Sequence, residues 1–141
     1  MPTELYTVDL ESKPKTLPLY LDRVAAGFPS PADDYVERRL DLNQHLIRHP
    51  EASFFVRVKG DSMRGAGIYP NDLLIVDRAL EATDGRVVVV ALDGELTVKR
   101  LRLHGNELAL HPENPAYSVI RIKQDRELLV WGVATYVIHA L

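Results

Sequence analysis

The chain has 141 residues, a formal net charge of −3, 46% hydrophobic residues and 26% charged ones. That is material for one folded domain with a real core, not comfortably two. Cysteine is absent, which excludes disulfides, thiolate zinc sites and cysteine nucleophiles, and no basic stripe of the kind a duplex-binding domain carries stands out.

Residues 1 to about 30 hold Pro2, Pro14, Pro18 and Pro29 and keep no period of 3.6 or 2. They read as an extended arm lying on something, with a plain disordered tail as the alternative. The start, Met1-Pro2-Thr3-Glu4, lacks the basic and apolar stretches of a secretory signal. The longest wholly apolar run, Val87 to Leu92, falls far short of the roughly 20 residues a membrane span needs. A soluble, cytoplasmic protein is expected.

Ser30-Pro31-Ala32-Asp33 has the form of a helix start, with a serine cap, proline at the first position and an early acid. A helix is therefore expected through Tyr35, Val36, Arg39 and Leu40. Asp41 and Gln44 suit the cap of a further helical turn carrying Leu42, Leu46 and Ile47, ended by Pro50.

From residue 53 the period becomes 2. Phe54, Val56 and Val58 alternate with Ser53, Phe55, Arg57 and Lys59, which predicts a strand. Leu73 to Val76 predicts another. Arg86 to Leu92, Asp93-Gly94, then Glu95 to Leu103 is the strongest local signal, two strands joined by a two-residue hairpin turn. Glu107 to Leu110, Ser118 to Ile122 and Leu128 to Ile138 supply further strands. His104-Gly105-Asn106, Pro112 to Pro115 and Lys123 to Asp125 supply the turns. The expected fold is mostly β, with a short helical stretch near the start.

Ser62 sits in Gly60-Asp61-Ser62-Met63 directly after a predicted strand. A nucleophilic serine needs a turn that exposes its hydroxyl and aims N–H groups at a developing oxyanion. A glycine two residues earlier permits such a path. A turn serine bonded to its own backbone is the alternative, and the tetrapeptide by itself favours it. The hydrolase elbow G-x-S-x-G is not matched, because Arg64 stands in place of the second glycine.

Lys99 lies inside the second hairpin strand, on one face with Thr97, Leu101 and Leu103, while Arg100 and Arg102 take the other face, towards water. A lysine on the more apolar face is unusual. Burial favours the neutral amine, and a neutral amine can serve as a base for a serine hydroxyl. The alternative is a stem that packs while its head reaches solvent.

The other candidates are weaker. His104, His111 and His139 fall at turns, edges or the C-terminus. His45 and His49 have metal-ligand spacing but no accompanying glutamate and no evident third ligand. No metal or other cofactor is expected. Ser12 and Lys15 form an S-x-x-K pattern, but Pro14 forbids the helix it needs. Val24-Ala25-Ala26-Gly27-Phe28 presents little bulk around the Ala26–Gly27 bond. It suits a cleaved segment or a flexible hinge.

Taken together, these pieces resemble the UmuD branch of the LexA-type self-cleaving serine peptidases. The resemblance runs from about Leu17 onward and rests on the order and spacing of several stretches. They are Ala26-Gly27-Phe28-Pro29-Ser30-Pro31, Asp41-Leu42-Asn43-Gln44, Gly60-Asp61-Ser62-Met63, Gly67-Ile68, Asp72-Leu73-Leu74-Ile75-Val76-Asp77, Asp93-Gly94-Glu95 and Thr97-Val98-Lys99. It implies that Ser62 is the nucleophile and Lys99 its base, with backbone N–H groups of Ser62 and Asp61 as the oxyanion hole. It makes Ala26–Gly27 the self-cleaved bond, dividing a 1–26 arm from a 27–141 peptidase and dimerisation domain. It further implies a homodimer in the SOS response to DNA damage, stimulated to cut itself by a RecA filament on single-stranded DNA. The trimmed dimer would join a UmuC-like Y-family polymerase in error-prone translesion synthesis. Ala26 stands where UmuD-type sites often have cysteine, and is small enough for the same pocket. The 26 residues before the cut contain no helix-turn-helix, so specific DNA binding is not expected. A non-catalytic dimeric adaptor and a LexA-like repressor fragment are the competing readings.

Overall fold

The computed structural model describes residues 4–20, 36–123 and 126–141. The chain forms two compact units, one of Glu11–Arg48 and one of Met1–Leu10 with His49–Leu141.

In the smaller unit, β2 (Thr16–Tyr20) and β3 (Val36–Asp41) pair antiparallel, with Leu17 opposite Leu40 and Pro18 opposite Arg39. Arg39 donates to the Thr16 hydroxyl and carbonyl, both at 3.0 Å. The helix expected through Val36, Arg39 and Leu40 is therefore a strand. A spacing of four apolar positions is even, so it satisfies period 2 as well as 3.6, and pairing with β2 decides between them. The Ser30-Pro31 start lies outside the described residues. The second expected turn is present as α1 (Leu42–Leu46), where the Asp41 carboxylate accepts from Asn43 N.

The larger unit is an eight-stranded antiparallel sheet. Its strands are β1 (Glu4–Thr7), β4 (Ser53–Arg57), β5 (Leu73–Asp77), β6 (Val87–Leu92), β7 (Glu95–His104), β8 (Glu107–His111), β9 (Ile120–Ile122) and β10 (Leu128–Ile138). Their order is β1-β4-β5-β10-β6-β7-β8-β9. The mostly β fold expected from the sequence is the one observed. The Asp93-Gly94 turn has positive φ at both residues, 49° and 86°, which matches the twist of β6 and β7. The first four described residues lie along β4 as an added strand.

The last strand, β10, inserts between the consecutive strands β5 and β6 and so joins the β1-β4-β5 group to the β6-β7-β8-β9 group. It crosses β5 closely at Gly132, where a Cβ would meet Val76 Cγ1 at 2.7 Å and Asp77 O at 3.0 Å. Only glycine fits that approach. On β6, Val88, Val90 and Leu92 enter one core with Leu101, Leu110 and Val133, while Val89 enters another with Val56, Met63, Val76 and Val98. Both faces of β6 and of early β7 are thus covered. A polar side chain rooted there is removed from water unless it reaches a cleft.

Candidate active site

The Ser62 turn is fixed from below and from the side. After β4, Val58 N donates to Asp72 O and Asn71 N to Val58 O, both at 2.8 Å. Gly60 then takes φ 89°, a conformation that disfavours any side chain. Met63, beside the serine, is 2% exposed and locks the turn into the core. A 3₁₀ turn over Arg64–Ala66 follows, closed by Gly67 at φ 79°.

A second segment, Pro112 to Tyr117, braces this turn. Glu113 N donates to Ser62 O at 2.8 Å, and Gly65 N donates to Glu113 O at 2.7 Å. Asn114 Nδ2 donates to Asp61 O at 2.9 Å, and the Tyr117 hydroxyl to the Asp61 carboxylate at 2.7 Å. That last bond raises the Tyr117 pKa, because the phenol proton is held by an anion. Arg100 grips the Glu113 carboxylate at 2.5 Å and the Gly85 carbonyl at 2.6 Å. Arg100 is therefore an anchor of the brace and not the water-facing residue expected from its strand face. Arg102 is exposed, as expected.

Lys99 rises from β7 opposite Val88 of β6. Its residue is 6% exposed. Nζ lies 2.9 Å from Ser62 Oγ, 2.9 Å from Thr97 Oγ1 and 3.1 Å from Val98 O. No carboxylate pairs with it among the described residues. Burial pushes its pKa below the ordinary lysine value of 10.5, since the ammonium loses hydration without gaining a counter-ion. Of the two earlier readings of Lys99, the packed stem with a solvated head does not hold.

Ser62 and Lys99 open onto a cleft of about 640 Å³. Leu92, Leu96 and Ile120 give it apolar walls, and Thr97 and Tyr117 add hydroxyls. Among the described residues, the N–H groups of Asp61 and Ser62 are not spent on another protein group. The Asp61 carbonyl, held by Asn114 of the brace, shares its peptide plane with the Ser62 N–H, so that N–H has a fixed frame. The Ala26–Gly27 bond lies outside the described residues.

Sequence reasoning named Ser62, Asp61 and Lys99, and the structure gathers them at one cleft. It had grouped Thr97 with Lys99 only by strand face, and it read Pro112 to Pro115 only as a turn. Asn114-Pro115 is a turn-forming pair, and Asn114 Oδ1 does accept from Ala116 N at 3.0 Å. The contact to Asp61 spans 53 residues and leaves no local pattern. Of the histidines, His49 pairs with Asp77 at 2.6 Å and His139 with Asp72 at 2.5 Å. Among the described residues no group of three or more potential ligands could hold a metal ion. Residues 12–15 form no helix, so Ser12 and Lys15 do not build the helical S-x-x-K arrangement. Among the described residues no helix is long and apolar enough to cross a membrane.

Known proteins are similar to the chain over most of its length. The model of the family described as Peptidase S24-like matches residues 18–135. The chain is 47% identical over 135 residues to Protein SamA of Salmonella typhimurium, a match covering 96% of this chain and 94% of SamA. It is 40% identical over 137 residues to Protein MucA of Escherichia coli, covering 96% and 93%. It is 46% identical over 124 residues to the LexA repressor of Methylococcus capsulatus, covering 87% of this chain and 60% of the repressor.

Proposed function

The chain belongs to the Peptidase S24-like family, and from that premise we propose that it is a serine endopeptidase that cuts its own Ala26–Gly27 bond. Ser62 is the nucleophile and Lys99 the general base. The observation that carries this reading is the 2.9 Å approach of Lys99 Nζ to Ser62 Oγ inside a covered site.

The hydrogen-bond count supports the chemistry. A neutral amine has two N–H donors and one lone pair. The donors go to Thr97 Oγ1 and Val98 O, which leaves the lone pair for the Ser62 hydroxyl proton. Lys99 takes that proton as Ser62 Oγ attacks the Ala26 carbonyl. The N–H groups of Ser62 and Asp61 receive the oxyanion. The lysine ammonium then protonates the departing Gly27 amine, the C–N bond breaks, and water hydrolyses the acyl-enzyme. Leu92, Leu96 and Ile120 suit the small apolar side chains around Ala26. A tethered substrate replaces affinity with effective concentration, so slow chemistry suffices for a switch.

The biological setting follows the resemblance. The cut separates the 1–26 arm from residues 27–141 during the cytoplasmic SOS response, with a RecA filament on single-stranded DNA as the stimulus. The trimmed homodimer serves a UmuC-like Y-family polymerase in translesion synthesis. Incubation of the purified chain at pH 9 to 10 tests the enzymatic part. A fragment beginning at Gly27 is expected, lost in Ser62→Ala and Lys99→Ala. No fragment under any condition, RecA filaments included, would leave a non-catalytic adaptor.

A further inference from the structure

A trans peptide points its C=O and N–H in opposite directions, so fixing one fixes the other. No cis peptide occurs among the described residues. The Asp61–Ser62 peptide carries the Ser62 N–H, one of the two donors assigned to the oxyanion. Its carbonyl accepts from Asn114 Nδ2 at 2.9 Å and, more weakly, from Arg64 N at 3.3 Å. Among the described residues Asn114 is the one side chain bonded to that oxygen.

The amide of Asn114 is itself oriented. Its Oδ1 accepts from Ala116 N at 3.0 Å, so a flip would set two acceptors face to face at Asp61 and two donors at Ala116. The neighbouring backbone is pinned as well, by the paired bonds between Ser62, Gly65 and Glu113. A side chain at Gly65 is excluded, because a Cβ would come within 2.7 Å of Glu113 O.

Resting on the protease reading above, we propose that Asn114 is a positioning residue that sets the plane of the Asp61–Ser62 peptide and thereby aims the Ser62 N–H at the oxyanion. Asn114 touches neither substrate nor Lys99 in this role. Its loss leaves proton transfer intact and weakens stabilisation of the tetrahedral intermediate.

The test is the first-order rate of self-cleavage of the full chain from pH 7 to 11, with thermal unfolding of each variant alongside. Asn114→Ala is expected to lower the plateau rate by about 10- to 100-fold, less than outright removal of an oxyanion donor. The pH at which the rate levels off should match the wild type, because the surroundings of Lys99 are unchanged. A purely structural defect would instead disturb the Lys99 pocket and move that inflection. A plateau within twofold of wild type overturns the proposal, and so does a shifted inflection. If Asn114→Ala does not unfold cooperatively, Asn114→Asp decides, since it keeps the acceptor for Ala116 N and sets a carboxylate, which cannot donate, against the Asp61 carbonyl. The same slowed plateau is expected, and a wild-type rate overturns the proposal. Failure of the wild-type chain to cut itself sinks the protease reading and this inference together. A wild-type cut with an unaffected variant sinks this inference alone.

Discussion

Strand β5 and strand β7 both bury charge, and they treat it differently. Asp72 and Asp77, flanking the apolar run of β5, are 2% and 4% exposed. Each carboxylate has a histidine and a backbone N–H: His139 and Tyr69 N for Asp72, His49 and Ala79 N for Asp77. Lys99 on β7 is nearly as buried, yet it meets only a serine hydroxyl, a threonine hydroxyl and a carbonyl. A buried charge without a partner is costly, and the group responds by shifting its pKa towards neutrality. Paired charge on β5 therefore belongs to architecture. The unpaired amine on β7, beside a hydroxyl and a cleft, is the one the proposed mechanism uses.

Removing either member of the β7 pair should separate activity from folding most sharply. Ser62→Ala and Lys99→Ala are each expected to lower self-cleavage by about 10³-fold or more, since a nucleophile and its base act as one unit. Mass analysis of the fragment starting at Gly27 measures this. A variant retaining a tenth of the wild-type rate would break the contrast between the strands.

The β5 carboxylates should behave in the opposite sense. Asp77→Ala strips the partner from Ala79 N and from His49, and is expected to cost about 1–3 kcal/mol. Urea unfolding reads that loss. Self-cleavage of the folded fraction should stay near the wild-type rate.

Lys99→Met should have the smallest effect on stability, within about 1 kcal/mol near neutral pH. It removes a poorly hydrated amine while leaving the Thr97 hydroxyl and the Val98 carbonyl without its N–H donors, and these terms oppose each other. The pH dependence sharpens the point. Because the folded-state pKa of Lys99 lies below 10.5, the unfolded chain holds more protons between the two values. Wild-type stability should therefore gain from this group as pH rises from the depressed pKa to about 10.5. Lys99→Met lacks that gain, so subtracting its unfolding curve from the wild type isolates it.

How much of this was legible beforehand depends on the range of the interaction. The β6–β7 hairpin was visible because Asp93-Gly94 and its flanking strands carry their instructions locally. The same period of 2 put Lys99 on one face with Thr97, and Gly60 marked the unusual path before Ser62. What stayed hidden was set by distant partners. The stretch from Val36 to Leu40 suits two periods, and only β2 selects the strand. Arg100 looked solvated until Glu113, on a separate loop, gave it a partner. Asn114 looked like a turn residue and Tyr117 carried no signal at all, because a contact to Asp61 across more than fifty positions leaves no mark nearby in sequence.

The proposed self-cleavage turns on the protonation of one amine, and direct titration of Lys99 reads it. In the uncut Ser62→Ala chain with isotope-labelled lysine, the Cε resonance can be followed by NMR from pH 6 to 12, with Lys99→Met providing the assignment. One lysine signal should titrate well below 10.5, at the pH where wild-type self-cleavage levels off. A Lys99 signal that titrates at or above 10.5 would contradict the account.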